Sequence, residues 1–244
     1  LLEALAAGSI DFGTTGDAPP VFAQAGQKPM IYVGVEAPAP RGEAILVPKD
    51  SPLKTAADLK DRKVALNKGS NVHYLLVQAL ASAGLTPQDI EPIYLAPADA
   101  RAAFERGSVD AWAIWDPYLS AAEAATGGRE LVNGEGLAPN RQFYLASPDL
   151  VRLHPQLVSD ILAEIDRTDH WAAGHIPETA ALLAPLTGLP VPVLETALGR
   201  LPFTLSPLDD AVVTSQQKLA DTFHDLHLIP TAITVRDVVW APKG

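Results

Sequence analysis

The chain has 244 residues, is 48% hydrophobic and 19% charged, and so has the composition of a folded protein with one large domain or two small lobes. A net charge of −11 argues against nucleic acid or an anionic membrane as partner, but not against a small anion held at a local site. No apolar run approaches the roughly 20 residues of a membrane span, and the absence of cysteine excludes disulfides, thiolate metal sites and cysteine nucleophiles.

The opening LLEALAAG starts inside an amphipathic helical pattern without methionine, cap or signal sequence, as the interior of a longer chain would. Short apolar runs then predict strands at Ser9–Gly13, Met30–Glu36, Ala44–Val47, Lys63–Leu66, Pro92–Leu95 and Val109–Ile114. Between them the pattern predicts helices over 19–26, 55–61, 71–83, 97–106 and 117–126, with a helical turn at Thr86-Pro87. This alternation predicts a parallel α/β arrangement. One more strand is expected at Phe143–Ala146. From there 148–226 reads as several short helices cut by prolines, the last over 208–226 with Val212, Leu219, Phe223 and Leu226 on one face.

An internal repeat joins two of these segments. LLEALAAGSIDFGTTGD (1–17) and ARAAFERGSVDAWAIWD (100–116) align without a gap, matching Gly8 with Gly107, Ser9 with Ser108, Asp11 with Asp110 and Asp17 with Asp116. Both copies read as helix, Gly-Ser turn, buried strand, then an acid, a proline and another helix. Two such units suggest two similar lobes. Ligands of open α/β sheets sit beyond the carboxyl ends of strands, so Thr15, Gly16 and Asp17 in one copy and Trp115, Asp116 and Tyr118 in the other are candidate lips of a shared cleft.

The turn after the strand at 63–66 is the strongest candidate for chemistry. Lys68, Gly69, Ser70 and Asn71 lead into a helix whose first amides form an anion site, with the Ser70 hydroxyl as a further donor and Lys68 as rim charge. The same residues are equally compatible with a plain helix cap. His73, in the first helical turn, is a candidate hydrogen-bond donor. Asp17 and Asp116 read more readily as helix caps than as anion contacts. Trp112 and Trp115 lie three apart in one strand and so face opposite sides, one in the core and one available as an apolar wall beside Tyr118. No GxSxG, HExxH, P-loop or GxGxxG motif is present, and His170, His175, His224 and His227 lack carboxylates at ligand spacing.

With these stretches placed, the chain resembles the periplasmic aliphatic-sulfonate-binding proteins of the SsuA type, the substrate-binding components of ABC importers. GSIDFGTTGD and GSVDAWAIWDPY carry the resemblance specifically; SPLKTAADLKDRKVALNKGSNVHYLL, YLAPADARAAFERG, FYLAS and LIPTAITVRDVVW extend it nearly end to end. The resemblance implies a two-lobed periplasmic-binding-protein (Venus-flytrap, type II) α/β fold with two crossover strands, EAILV (43–47) outgoing and FYLA (143–146) returning. Lobe I would combine 1–47 with 143–244, and lobe II would be 48–142. It further implies an alkanesulfonate ligand, an inner-membrane ABC permease as partner, a monomer without direct membrane insertion, no cofactor or metal, no enzymatic activity and a periplasmic location. The family carries a strand–helix–strand unit ahead of the segment matching LLEAL, and that unit would add a cleft loop.

Rival readings keep the scaffold and change its use: taurine, nitrate or a thiamine precursor as ligand, an enzyme, or a regulator's effector domain. A desulfinase of this architecture needs a cysteine nucleophile, which the chain lacks. A regulator needs a helix-turn-helix, and none is legible here.

Overall fold

The structure, a computed structural model, describes residues 1–241. The chain opens with α1 (Leu2–Ala6), β1 (Phe12–Gly16), α2 (Ala18–Ala25), β2 (Ile31–Glu36), β3 (Glu43–Val47), β4 (Lys63–Leu66) and α3 (Asn71–Ser82). It continues through β5 (Glu91–Tyr94), α4 (Pro97–Glu105), β6 (Ala111–Trp115), α5 (Tyr118–Thr126), β7 (Arg129–Asn133) and β8 (Gln142–Ala146). The remainder holds α6 (Pro148–Leu153), α7 (Pro155–Gly174), α8 (Ile176–Thr187), α9 (Val191–Leu198), β9 (Leu205–Ser206) and α10 (Asp210–Asp225).

These elements form two compact units. The first contains Leu1–Pro38, Arg141–Gly174 and the chain from Pro202 onward; the second contains Ala39–Asn140 and His175–Leu201. The boundaries differ from the 47/143 division read from sequence. Neither β3 nor β8 passes between units. β3 hydrogen-bonds to β6 and β7 within the second unit, and β8 lies between β1 and β2 within the first. The chain changes unit beside them, at Pro38–Ala39 and Asn140–Arg141, and twice more at Gly174–His175 and Leu201–Pro202. The second excursion carries α8 and α9 into the second unit, where α9 packs on α5. Residues 242–244, the end of the expected first lobe, lie outside the described residues.

In the first unit the sheet runs β1-β8-β2-β9 with every pairing antiparallel. The parallel arrangement expected from sequence is absent because β8, arriving from far along the chain, fills the place between β1 and β2. Tyr32 and Phe143 meet edge to face at 5.0 Å, and Phe22 of α2 meets Phe223 of α10 at 5.3 Å. A second layer is built by Val33, Ala146, Leu150 and Val158, with Tyr144 and Leu162 packed against them. In the second unit the order is β5-β4-β6-β3-β7. Here β5, β4 and β6 are parallel, as expected, while β3 and β7 run against them. Leu46, Ala65, Phe104, Trp112, Ile114 and Leu119 form its core.

The sequence repeat is also a structural one. Gly8 (φ 68°) and Gly107 (φ 67°) both adopt the left-handed conformation that ends a helix, where any side chain would be strained. Their amides donate to Leu5 O (3.1 Å) and Phe104 O (3.0 Å), and the following Ser9 and Ser108 amides donate to Ala4 O and Ala103 O, both at 2.9 Å. The strands begin two or three residues later than predicted, at Phe12 and Ala111, because these residues complete the turn. Asp11 and Asp110 then pin the next neighbour: Asp11 accepts from Ser147 Oγ at 2.7 Å, and Asp110 from Lys63 N at 2.8 Å.

The last matched pair diverges. Asp17 is 2% exposed and stands at the start of α2 without capping it through its side chain, so the cap expected there is not formed. Its Oδ2 accepts from the Arg141 amide at 3.3 Å. Burial disfavours the carboxylate and pushes its pKa up to about 7, against the pull of nearby backbone donors. Between the ordinary carboxylate range and pH 7 the folded state therefore holds a proton that the unfolded state has lost, and stability falls as pH rises through that window. Asp17→Asn, which cannot ionise, should gain stability relative to wild type between pH 4 and pH 7.5, by at most about 4 kcal/mol. Denaturant unfolding of both proteins across that range checks this; parallel curves would show that Asp17 is not protonated in the fold.

Candidate functional site

The parallel part of the second unit's sheet determines where a site can lie. Val64 pairs with Ala111 and Ala65 with Trp112, while Leu66 pairs with Tyr94. The carboxyl ends of β4 and β5 are thus level and β6 runs two residues further, so the turn 67–70, Tyr94 and Trp115 share one edge, the position at which open α/β sheets hold ligands.

At that edge Gly69 (φ 76°) turns the chain and Ser70 (φ −97°, ψ 173°) takes the N-cap position of α3. The Ser70 side chain makes no cap hydrogen bond to the helix. Its hydroxyl donates backward to Asn67 O at 2.7 Å. The proton expected to serve an anion is therefore committed to the turn, and because the His73 amide donates to Ser70 O at 3.0 Å, the first-turn donors left for a ligand are the Asn71 and Val72 amides. Gly69 N–H donates to His73 Nδ1 at 3.1 Å, which places the imidazole proton on Nε2. Burial, reinforced by the Lys68 charge, lowers the His73 pKa to about 4, so the ring is neutral at working pH. Asn71 donates from Nδ2 to Asn140 Oδ1 at 2.8 Å, and Asn140 donates to Ala39 O at 2.9 Å. Lys68 is exposed, with its ammonium 5.4 Å from the centre of the Tyr94 ring, and Tyr94 meets His73 edge-on at 5.9 Å.

The strand end at 115–118 resolves the choice between the two tryptophans. Trp112 is fully buried and packs on Phe104 at 5.9 Å. Trp115 is half-buried and meets Tyr118, 40% exposed, with ring centres 6.3 Å apart and planes at 84°. Asp116 between them caps α5 as the sequence suggested: Oδ1 accepts from Ser120 N at 2.9 Å and Ser120 Oγ at 2.6 Å. Its Oδ2 accepts from Arg200 Nη1 at 3.1 Å. The sequence reading missed Arg200 and Tyr94. A strand-end aromatic was legible for Tyr94, but nothing near Arg200 in the chain points to its partners.

In the first unit, Thr15 and Gly16 close β1 opposite Phe143 and Gln142 and are half-buried, while Pro19 and Pro20 open the helix behind Asp17. Among the described residues no group of three or more His, Asp or Glu is placed to hold a metal ion, and no single helix is long and apolar enough to cross a membrane.

The NMT1/THI5 like family matches residues 1–180, and the chain belongs to that family. It is 47% identical over 243 residues to an aliphatic sulfonates-binding protein of Escherichia coli strain K12, covering 99% of this chain and 76% of that one. A protein of the same description from Bacillus subtilis strain 168 is 34% identical over 97% of this chain and 72% of its own length. The fold matches the crystal structure of the periplasmic aliphatic sulphonate binding protein SsuA from Escherichia coli with a TM-score of 0.95, over 99% of this chain and 79% of that one. The alkanesulfonate-binding protein SsuA from Xanthomonas axonopodis pv. citri, bound to MOPS, matches at 0.91 with 43% identity, over 98% and 83% of the two chains. The mixed α/β architecture with two sheets is thus that of a periplasmic binding protein.

His73 should give the nitrogen NMR shifts of a neutral, Nε2-protonated ring throughout pH 5–8, with a titration midpoint near 4. A midpoint near that of a free histidine, about 6.5, would show that the ring is not desolvated, and a proton on Nδ1 would show that it does not accept from Gly69.

Proposed function

We propose that the chain is the substrate-binding component of an ABC importer that captures aliphatic sulfonates. The sulfonate head binds the first-turn amides of α3, and the carbon tail lies against Trp115 and Tyr118. The observation that carries this reading is the conjunction, at one strand edge, of a helix start uncapped by its Ser70 side chain and a part-exposed aromatic pair. Neutral amides suit a permanently anionic group with three acceptor oxygens, and a chain of net charge −11 needs no buried cation to hold it. Thr15, Gly16 and Asp17 are proposed as further contacts. Delivery to a membrane permease, action as a monomer in the periplasm and the absence of catalysis complete the reading.

Taurine is the second reading. The taurine-binding periplasmic protein of Escherichia coli is 29% identical over 202 residues. Its ligand ends in an ammonium, which aromatic faces can hold but which also calls for a carboxylate; the adjacent one, Asp116, is already held by Ser120 and Arg200, so the site favours the alkyl tail.

Calorimetry should give sub-micromolar to micromolar dissociation constants for octanesulfonate, roughly −8 kcal/mol or better. Octanoate should bind about 1–3 kcal/mol more weakly, because a planar carboxylate leaves an amide donor unmatched. Equal affinities would remove the sulfonate assignment.

A series over chain length tests the tail contact. A Trp face covering ~60–100 Å² of alkyl chain is worth roughly 1.5–2.5 kcal/mol. Trp115→Ala should lose about that for octanesulfonate and almost nothing for methanesulfonate. Trp112→Ala should instead cost about 3–5 kcal/mol of stability and weaken every ligand alike. A uniform loss in Trp115→Ala, accompanied by a large fall in melting temperature, would take the tail away from this ring.

A further inference from the structure

Arg200 follows α9, 84 positions from Asp116 in the chain, and its side chain is 11% exposed. Nη1 donates to Asp116 Oδ2 and to Ser120 Oγ, both at 3.1 Å. Nη2 donates to Glu123 Oε2 at 2.8 Å and to Glu130 Oε1 at 3.2 Å. Burial opposes its charge, but Glu123 and Asp116 outweigh that cost and hold the guanidinium pKa above its ordinary value. Three carboxylates therefore share one cation.

Asp116 differs from the other two acids in where it stands. It is the residue between Trp115 and the turn to Tyr118, and its amide donates to Gly42 O at 2.8 Å. One of its oxygens receives the first turn of α5 and the other receives Arg200. Without the guanidinium, Asp116 would face Glu123 and Glu130 uncompensated, and repulsion would turn its carboxylate away from Ser120. The backbone joining the two rings would then lose the bonds that set it.

We infer that Arg200 is a positioning residue of the tail subsite, acting through Asp116 and Ser120 to fix the angle between Trp115 and Tyr118 and so to set the preference for long alkyl tails. The inference rests on the sulfonate reading given above. It differs from a purely architectural role for the ion pair, in which Arg200 only fastens α9 to α5 and affects every ligand through stability.

Calorimetry with methane-, butane- and octanesulfonate on wild type, Arg200→Met, Arg200→Lys, Trp115→Ala and the Arg200→Met/Trp115→Ala double variant separates the two roles. Arg200→Met should weaken octanesulfonate about tenfold and methanesulfonate less than about threefold. Arg200→Lys keeps the charge but lacks the planar fork; it should melt near wild type and still show the chain-length-dependent loss. For octanesulfonate the double variant should bind no worse than Trp115→Ala alone, within about twofold, because both changes act on one contact. Equal losses at every chain length that track melting temperature, or losses that multiply in the double variant, would overturn the inference. If wild type binds no alkanesulfonate, the sulfonate reading fails, and the positioning role is read from the near-ultraviolet ellipticity of the ring pair. A spectrum of Arg200→Lys identical to that of wild type would overturn it there as well.

Discussion

The start of α3 is the constraint around which the second unit is arranged. A helix start supplies a partial positive charge that is fixed in direction, carries no proton to lose and needs no counter-ion in the empty protein. Its neighbours are consistent with that. His73 is kept neutral by burial and by the Lys68 charge, Ser70 uses its hydroxyl proton to hold the turn, and Asn71 is clamped by Asn140. Asp116, an acid beside the aromatic edge, is matched by Arg200. Such a helix end is worth only about 0.3–2 kcal/mol to an anion. That is no more than the roughly 1.5–2.5 kcal/mol available from covering an alkyl tail. In the proposed site head and tail are therefore comparable contributors, with the amides selecting the chemical group and the rings its length.

The repeat shows how one local design took two outcomes. Helix, left-handed glycine, strand and acid recur 99 positions apart with matching hydrogen bonds at both glycine turns. At the last matched position the copies part. Asp116 keeps a guanidinium partner and caps a helix, whereas Asp17 is buried against an amide and favours its protonated form. The same residue type thus serves as a joint held by a guanidinium in one unit and, near pH 6, as an essentially neutral one in the other. The difference lies in whether another part of the chain brings a cation.

The parts of the fold legible in the sequence are those set by neighbours in the chain. The 2.0 and 3.6 periodicities located most elements, and the glycine turns, the acid corners and the α3 start were all visible as local patterns. Strand order was not, since nothing in FYLA says that it will lie between β1 and β2. β7 was missed because RELVN is short, half-buried throughout and charged at its start. The residence of α8 and α9 in the second unit depends on packing against α5, a contact with no local signature. The choice between Trp112 and Trp115 turned on position along β6: residues 111–114 are buried on both faces of the strand, and Trp115 is half-buried because it stands at the strand's end. Arg200 lay furthest out of reach, because its partners Asp116, Glu123 and Glu130 are 70 to 84 positions away.

The place of β8 also has a consequence for how the protein is made. β1 and β2 are close in the chain, yet they are not neighbours in the sheet, and the strand that lies between them, β8, ends at Ala146. Until β8 is made, the edges of β1 and β2 that it covers stay unpaired. The second unit's five strands all lie between Glu43 and Asn133 and complete their sheet in one continuous stretch of synthesis. The continuous segment can therefore complete its sheet before β1 and β2 acquire the strand that lies between them. During that interval β1 and β2 keep open strand edges, and open edges are where a partly folded chain pairs with the wrong partner.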